Sequence, residues 1–394
     1  MLILVINVGS TSLKFKLFEM DGEQLLSSGR VEGIGQPHSI FEYKTPDTAS
    51  QSGTHTFTGY LDGIDHLLKY LLDDSDALQS LDVLSAVGFK TVLAKNIMNA
   101  AVLDEDVLAA MDAMSPIAPT HNPPYIAAIR AFQQRLPRTP MIGLFEPAFH
   151  HSIPEFAWRY ALPYEWAEKY GIRRYGFHGA SHRYTAQRAA EILGRKDLRL
   201  ITCHLGGSTS INATRGTTSI DNSFGLSPQS GVIHSGRPGD IDPIIPLWMI
   251  EELGLSTAEA RKILSSESGI KALSGVSGEM REIINAAQQG DARAQMAIDA
   301  FVYKVRQWIG CAAVALGGID ALVFTGGIGE RSALIRAKCC ENLDFLGVHL
   351  RIQVNDTAKP DCDVATTGSP VRILIIEANE EIIVARACKQ VLTG

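Results

Sequence analysis

Residues 1–18, MLILVINVGSTSLKFKLF, hold the most informative pattern in the chain. The apolar run predicts a buried strand, which leads directly into Asn7, Gly9, Ser10, Ser12 and Lys14. A strand that ends in a glycine and small hydroxyl residues offers backbone N–H groups, O–H donors and one cation to a ligand above the turn. These are groups that bind phosphate, so the sequence predicts a phosphate-binding turn here.

The same pattern returns twice further along the chain. Apolar runs lead into glycine-rich turns in RLITCHLGGSTS (199–210) and in ALVFTGGIGERS (321–332). A single turn of this kind is more often an ordinary hairpin between two strands. Three of them in one chain favour a duplicated nucleotide-binding architecture.

Composition and charge narrow the class of protein. The chain has 394 residues, enough for two or three domains, and its net charge of −7 favours neither a nucleic acid nor an anionic membrane as partner. Its six cysteines show neither a CxxC pair nor metal-ligand spacing, which is typical of buried thiols in a reducing compartment. No apolar run reaches the roughly 18 residues of a membrane span, so we expect a cytoplasmic protein.

The order of predicted elements suggests two halves built on one plan, with a ligand cleft between them. Up to about residue 60 we expect a meander of strands, followed by helices and a strand in alternation. The second half repeats this order from Leu198. Its expected elements are short strands up to residue 220, helices over 243–253, 257–265 and 280–317, a strand over 321–325, another helix, a last strand over 371–376, and a helix over 379–392.

Polar clusters lie between these elements in segments that we expect to be loops. They are HNPPY (121–125), FEPAFHH (145–151), YGFHGASHR (175–183) and a longer segment over 221–243. Each has a simple structural explanation; Ser181, for example, would be the N-cap of a helix over 181–193. Together, however, Glu146, His178, Arg237 and the first turn supply the charge stabilisers, acid and phosphate cradle that phosphoryl transfer requires.

The blocks INVGSTSLKF, HNPP, AFH, YGFHGASH, SGRPGDIDP, FTGGIGE and NEE resemble the signature motifs of the acetate and propionate kinases, in the same order, from residue 2 to residue 385. The resemblance implies an α/β fold of two duplicated actin-like ATPase (ribonuclease H-like) domains with a nucleotide cleft between them. It also implies a homodimer and the Mg²⁺-dependent transfer of the ATP γ-phosphoryl group to a small carboxylate. We place the N-terminal domain at 1–150, completed by the helix at 379–394, and the C-terminal domain at 151–378.

The resemblance also implies roles for individual residues. It places Asn7 and Glu380 beside magnesium, Ser10, Ser12 and Lys14 in the first phosphate loop, and His178 and Arg237 at the transferring phosphoryl group. The remaining nucleotide-side residues that it implies are His204, Gly206, Gly207, Ser208, Glu279, Arg281, Gly326, Gly327, Ile328 and Gly329.

The acceptor side departs from the family pattern. Lys90 stands where the family has an arginine that holds the substrate carboxylate, and Glu146 stands where it has a catalytic aspartate. Gly207 replaces an asparagine beside the phosphates, and Thr120 replaces an apolar residue of the acyl pocket. Val92, Phe177 and Pro228 fit the other walls of that pocket. Lysine lacks the two-pronged geometry of arginine, so we expect weaker acetate binding.

Three interpretations follow from this combination of matching and departing residues. The first is an active kinase of a small carboxylate, with an acceptor other than acetate as one form of it. The second is a nucleotide-binding paralogue that has lost acetate kinase activity and acts as a sensor or partner. The third is a kinase of the same fold that phosphorylates a hydroxyl, with Glu146 as the base. The retained charges at positions 90 and 146 favour the first interpretation.

Overall fold

The computed structural model describes residues 1–46, 50–75 and 77–394. It divides into two compact units, one formed by Met1–Ala148 with Asn379–Gly394 and the other by Phe149–Ala378. The domain boundaries drawn from the resemblance remain a prediction. No helix in the described part of the chain is long and apolar enough to cross a membrane.

The first unit contains an eight-stranded mixed sheet. Its strands are β1 (Leu2–Gly9), β2 (Ser12–Glu19), β3 (Gln24–Glu32), β4 (Ser39–Lys44), β5 (Gln51–His55), β6 (Leu84–Thr91), β7 (Ala101–Val102) and β8 (Met141–Phe145). They lie in the order β5-β4-β3-β2-β1-β6-β8-β7. Strands β1 to β5 form the expected antiparallel meander, and β1, β6 and β8 run parallel.

The second unit contains a six-stranded mixed sheet. Its strands are β9 (Arg199–Leu205), β10 (Thr209–Arg215), β11 (Thr218–Asn222), β12 (Ala321–Thr325), β13 (Cys362–Asp363) and β14 (Arg372–Ile375). They lie in the order β11-β10-β9-β12-β14-β13, with β9, β12 and β14 parallel. Each sheet therefore has a meander whose first strand pairs with a parallel strand, which is the duplication that the three turns predicted.

The helices of both units complete this α/β fold. In chain order they are α1 (Tyr60–Lys69), α2 (Glu105–Asp112), α3 (Asn122–Arg135), α4 (Glu155–Trp158), α5 (Trp166–Tyr170), α6 (Gly179–Leu193), α7 (Ile244–Glu251), α8 (Thr257–Ser266), α9 (Gly269–Ser274), α10 (Met280–Gln288), α11 (Ala292–Leu316), α12 (Gly326–Arg331), α13 (Ala333–Cys340), α14 (Ile352–Asn355) and α15 (Glu380–Thr393).

Helix α15 closes the first unit although it is the last element of the chain. It packs on β1, β6 and β8, and the contact is so close that a Cβ at Gly88 of β6 would lie 2.7 Å from the Cys388 sulfur. This packing places the start of α15, at Glu380, beside the carboxyl end of β6. Strand β1 begins as a buried apolar run, and six of the eight residues of β6 are buried, as expected for parallel strands covered on both faces.

Four sequence expectations about helices are wrong; one of them is the loop expected over FEPAFHH, because Glu146–Ser152 forms a 3₁₀ helix. The helix expected over 280–317 is two helices, α10 and α11, because Gly290 takes φ +94° and Asp291 then caps α11 by accepting from the N–H groups of Arg293 and Ala294. The helix expected from Ser181 begins at Gly179, so Ser181 is not its N-cap. The HNPPY segment is not a loop, since its prolines start α3, where a missing N–H costs no hydrogen bond.

Candidate active site

The first two glycine-rich turns are hairpins, and the third joins a strand to a helix. Ser10 is exposed at the β1–β2 turn, where the Tyr60 hydroxyl donates to the Gly9 carbonyl at 2.6 Å and to the Ser10 carbonyl at 3.2 Å. Ser12 begins β2, and Lys14 is exposed on the same strand. Lys14 lines a cavity of about 230 Å³ in the first unit that is also lined by Lys16, Arg30 and Lys44.

The acceptor side of the first unit is built around Lys90. Its ammonium lies 3.0 Å from Glu146 Oε1 and 2.5 Å from Glu380 Oε2, and all three side chains are at most 15% exposed. Burial acts to lower the pKa of Lys90, but the two carboxylates outweigh it and hold that pKa well above its usual value. Lys90 is therefore a cation, and it is already bound by two acids.

Tyr125 connects this cluster to Asn7. The Tyr125 hydroxyl donates to Asn7 Oδ1 at 3.1 Å and accepts from the Val8 N–H at 3.2 Å. Burial raises the pKa of Tyr125, and the charges of Lys90, Glu146 and Glu380 all act on that pKa, so the phenol lies within their field. The structure thus brings Asn7 and Glu380, the two expected metal residues, to one part of the first unit.

Asn7 and Glu380 offer one amide oxygen and one carboxylate. Among the residues described, no group of three or more His, Cys, Asp or Glu side chains has the arrangement of a metal site. Mg²⁺ in kinases is usually held by one or two carboxylates, with substrate phosphates and water as the other ligands. The donor set of Asn7 and Glu380 fits that mode of binding.

The expected acyl-pocket residues are split between the two units. Val92 is buried just after β6, whereas Thr120 is exposed and its hydroxyl lies 2.9 Å from His121 Nδ1. In the second unit Phe177 is buried edge-on against Phe224, and Pro228 is buried with its carbonyl accepting from Arg237. The place of these four residues in an acyl pocket remains a prediction.

His178 stands at the start of α6 in a strained conformation. Its φ of +56° lies in the left-handed region, which non-glycine residues seldom adopt and which costs free energy unless the surroundings hold it. His178 Nδ1 is 2.8 Å from Ser210 Oγ, and its ring stacks on His204 with centroids 4.1 Å apart. His204 Nδ1 in turn contacts Ser181 Oγ at 2.8 Å. Strain held in this way is common at functional sites.

Arg237 belongs to a tightly folded loop of the second unit. The Gly231 N–H donates to Asp240 Oδ1 at 2.7 Å, and Gly239 has φ +77° with no room for a Cβ against the Gly231 carbonyl. The Arg237 guanidinium donates to the Pro228 carbonyl. Burial lowers the pKa of Arg237 to about 10, so the side chain remains a cation at neutral pH and has lost much of its hydration.

A cavity of about 510 Å³ opens in the second unit between the β9–β10 turn, the start of α10 and α12. Six of the expected nucleotide residues line it: Gly206, Gly207, Glu279, Arg281, Gly327 and Ile328. Ser208 lies in the same turn as Gly207 without lining the cavity. A volume of this size is typical of small-ligand pockets.

Gly326 and Gly329 lie in the third glycine-rich turn, where they allow its backbone to pack closely on neighbouring residues. A Cβ at Gly326, whose φ is +76°, would lie 2.8 Å from the Leu205 carbonyl oxygen. At Gly329, which is buried, a Cβ would contact Phe324 and the Cys203 carbonyl at ordinary distances of 3.4 Å or more. Gly326 therefore lets two turns approach each other, and Gly329 packs on the sheet.

Sequence reasoning missed seven further residues of this cavity: Ser235, Gly278, Met280, Ile284, Asn285, Arg331 and Ser332. Some carried a usable signal, because Ile284 and Asn285 follow Arg281 at helical spacing of three and four positions. Ser235 carried no such signal, because its place in the cavity depends on contacts with residues distant in sequence. Its N–H donates to the Gly207 carbonyl at 2.9 Å, and its hydroxyl donates to the Gly278 carbonyl at 2.7 Å.

Comparisons with known proteins identify the family of the chain. Residues 2–386 match the model of the acetokinase family. An acetate kinase of Bacillus cytotoxicus is 41% identical over 387 residues, covering 98% of this chain and 97% of the relative. One of Pseudothermotoga lettingae is 41% identical over 396 residues, covering 100% and 98%.

Solved structures give the same result. The crystal structure of an acetate kinase of Porphyromonas gingivalis is similar with a TM-score of 0.89 at 34% identity, covering 99% of each chain. A propionate kinase of Francisella tularensis gives a TM-score of 0.91 at 33% identity, covering 98% of each chain.

Proposed function

The chain belongs to the acetokinase family, and we propose that the residues described above carry out its reaction, the ATP-dependent phosphorylation of a carboxylate. Its α/β architecture is the actin-like ATPase fold of that family. The observation that carries the proposal is the 510 Å³ cavity of the second unit, which two of the three glycine-rich turns line. Backbone N–H groups of such turns suit phosphate oxygens.

In this proposal the nucleotide lies in that cavity. The base and ribose lie near Glu279, Arg281 and Ile284 at the start of α10, and the phosphates extend towards Gly207 and Gly327. Gly327 supports this orientation, because no atom lies within 4 Å of where its Cβ would be, and a phosphate can approach its backbone closely.

The γ-phosphoryl group is stabilised by His178 and Arg237. Phosphoryl transfer depends on positioned charge rather than on covalent chemistry by the protein. Arg237 is a largely desolvated cation, and desolvation strengthens its attraction for the oxygens on which negative charge develops. His178 is fixed by Ser210 and by the His204 ring, so its second nitrogen serves as a hydrogen-bond donor without reorganisation.

We further propose Mg²⁺ as the divalent ion that acetokinases generally require, held by Asn7 and Glu380. When bound, the ion neutralises charge on the phosphates. Lys90 then holds the carboxylate of the acceptor, and Glu146 keeps Lys90 in place at 3.0 Å. The pairing of Glu146 with Lys90 argues against a hydroxyl acceptor, because a base engaged by a cation is a poor proton acceptor.

The acceptor is a small carboxylate, and we propose that one with a longer chain or a second polar group is preferred to acetate. Lys90 provides a point charge instead of the fork of arginine and is already shared by two acids. A hydroxamate assay for acyl phosphate, with ATP and carboxylates from formate to hexanoate and with and without Mg²⁺, tests this. Acyl phosphate formed from acetate with a low-millimolar KM or better contradicts the preference, and no acyl phosphate from any carboxylate contradicts the proposed chemistry.

A homodimer is proposed from the surface of the second unit. Helix α7, IIPLWMIE, is apolar over most of its length, yet only Met249 is buried among its residues. Ile244, Leu247 and Trp248 are 62%, 51% and 50% exposed. A contiguous exposed apolar patch marks an interaction surface, and a second copy related by a two-fold axis covers the same patch on both chains.

A cytoplasmic location is proposed as well. The reaction consumes ATP, and the six cysteines are free thiols, as is usual for proteins of a reducing compartment.

A further inference from the structure

Ser210, on β10 of the second unit, has one hydroxyl that contacts two histidines. Its Oγ lies 2.8 Å from His178 Nδ1 and 2.7 Å from His182 Nε2, and the Ser210 side chain is fully buried. A serine hydroxyl has one proton to donate and lone pairs with which to accept. Ser210 can donate only one of these contacts, and if it accepted both, its own buried proton would have no acceptor. The favourable arrangement is therefore one contact donated by Ser210 and one accepted, which couples the protonation of the two rings.

The tautomer of His182 determines which of the two hydrogen bonds Ser210 donates. Burial lowers the pKa of His182 well below its usual value, so the ring is neutral and carries one N–H. Within the described residues, His182 Nδ1 is buried and has no hydrogen-bond partner. Placing the proton on Nδ1 would bury an unpaired N–H, whereas placing it on Nε2 leaves only a lone pair unpaired and gives Ser210 a donor.

The buried, unpartnered Nδ1 favours the proton on Nε2, because orphaned buried N–H groups are rarer in proteins than under-satisfied acceptors. The Ser210 hydroxyl then accepts from His182 and donates to His178 Nδ1, and His178 carries its own proton on Nε2.

We propose that Ser210 and His182 are positioning residues that fix the Nε2–H tautomer of His178, so that this ring offers an N–H donor to the transferring phosphoryl group. The inference rests on the proposed function in one respect, the place of His178 at that group. The opposite tautomer would direct a lone pair at the phosphoryl oxygens and repel them. The Ser210 contact at Nδ1 and the stacked His204 ring hold the His178 ring, which fixes the position of its Nε2 as well.

The tautomer is measured directly on the full chain with ¹⁵N-histidine labelling and long-range ¹H–¹⁵N correlation spectra, which separate protonated from unprotonated ring nitrogens. The His178 signals are assigned by their loss in His178→Ala. We expect His178 to be protonated on Nε2 in the unmodified protein and to gain the Nδ1–H form in Ser210→Ala. Turnover of Ser210→Ala should fall about 10- to 100-fold, as when the partner of an active-site histidine is removed, with KM for ATP within about twofold.

Variants at His182 separate positioning from packing. The amide nitrogen of His182→Gln occupies the place of Nε2 and still donates, so kcat should stay within about threefold, whereas His182→Leu should lose as much kcat as Ser210→Ala. Thr214→Val removes another fully buried hydroxyl of β10 that bonds to Asn212 instead of a histidine, and should leave the His178 tautomer and kcat unchanged.

Two results would overturn the inference: an Nδ1–H tautomer of His178 in the unmodified protein, or a fall in kcat in Ser210→Ala without a change of tautomer. If the protein forms no acyl phosphate, but its spectra show the Nε2–H tautomer and its loss in Ser210→Ala, the proposed function fails and the tautomer assignment stands.

Discussion

Replacing Lys90 with methionine removes the cation that lies between Glu146 and Glu380 while keeping most of the side-chain volume. The two carboxylates, only 7% and 12% exposed, then remain buried without it. Removing one partner of a buried ion pair typically costs about 3–5 kcal/mol, because the remaining charge stays desolvated. With an m-value of about 2 kcal/mol/M in urea, the unfolding midpoint of Lys90→Met should fall by about 2 M.

Urea unfolding followed by circular dichroism measures this effect, and Lys16→Met is a matched control. Lys16 pairs at 3.0 Å with Glu381, on the same helix as Glu380, but those two side chains are 29% and 20% exposed. A more exposed pair of this kind contributes about 0–1 kcal/mol. A loss of stability in Lys90→Met no larger than in Lys16→Met would refute the conclusion that Lys90 is held as a buried cation.

The pH dependence of the same variant has a definite sign. The folded-state pKa of Lys90 lies above its unfolded value, which is about 10.4. Its contribution to stability is therefore fully present below about pH 10.4 and is lost as the pH rises through the higher folded-state pKa. The difference in unfolding free energy between the unmodified protein and Lys90→Met should stay constant from pH 7 to about pH 9 and narrow only in stronger alkali.

Three further predictions concern the second unit. Arg237→Ala should lower kcat by about 100-fold or more with ATP affinity nearly intact, and an equal loss of both would assign Arg237 to ground-state binding. Gly327→Val should weaken ATP binding in calorimetry with little change in stability, whereas Gly326→Ala should destabilise the protein by about 1–3 kcal/mol because of its positive φ and the nearby Leu205 carbonyl. Trp248→Glu should yield a monomer in light scattering, and a dimer that persists unchanged would exclude α7 as the interface.

The helices and strands could be predicted from the sequence wherever a segment shows a single clear local pattern. Alternation and turn signals predicted the meander of β1 to β5, and apolar runs that lead into glycine-rich turns predicted β1, β9 and β12. The wrong predictions lie in segments whose residues also fit a second structural interpretation. The prolines of HNPPY suggested a loop, although proline is also a favourable first residue of a helix. The apolar periodicity over 280–317 hid the break at Gly290, because α10 and α11 bury their faces in one core.

Six of the residues that line the cavity of the second unit could be predicted, and four of them, Gly206, Gly207, Gly327 and Ile328, stand in motifs that are contiguous in sequence. The ion pairs of Lys90 could not be predicted. Lys90 and Glu380 are separated by 290 positions, and no periodicity in either segment indicates that α15 returns to pack on β6. Contacts of this kind depend on topology, which single-sequence patterns do not encode.

The ion pairs with Glu146 and Glu380 change how the role of Lys90 is interpreted. Taken alone, its charge is the same as that of the arginine it replaces in the family pattern. In the folded chain it is one positive charge facing two carboxylates, so an incoming carboxylate would add a third negative charge to the same cation. Under the role proposed for Lys90, like charges in a buried site would repel, so a proton or another cation that offsets Glu146 or Glu380 should favour acceptor binding. We therefore expect the affinity for a carboxylate to depend on the charge of these two acids as well as on Lys90.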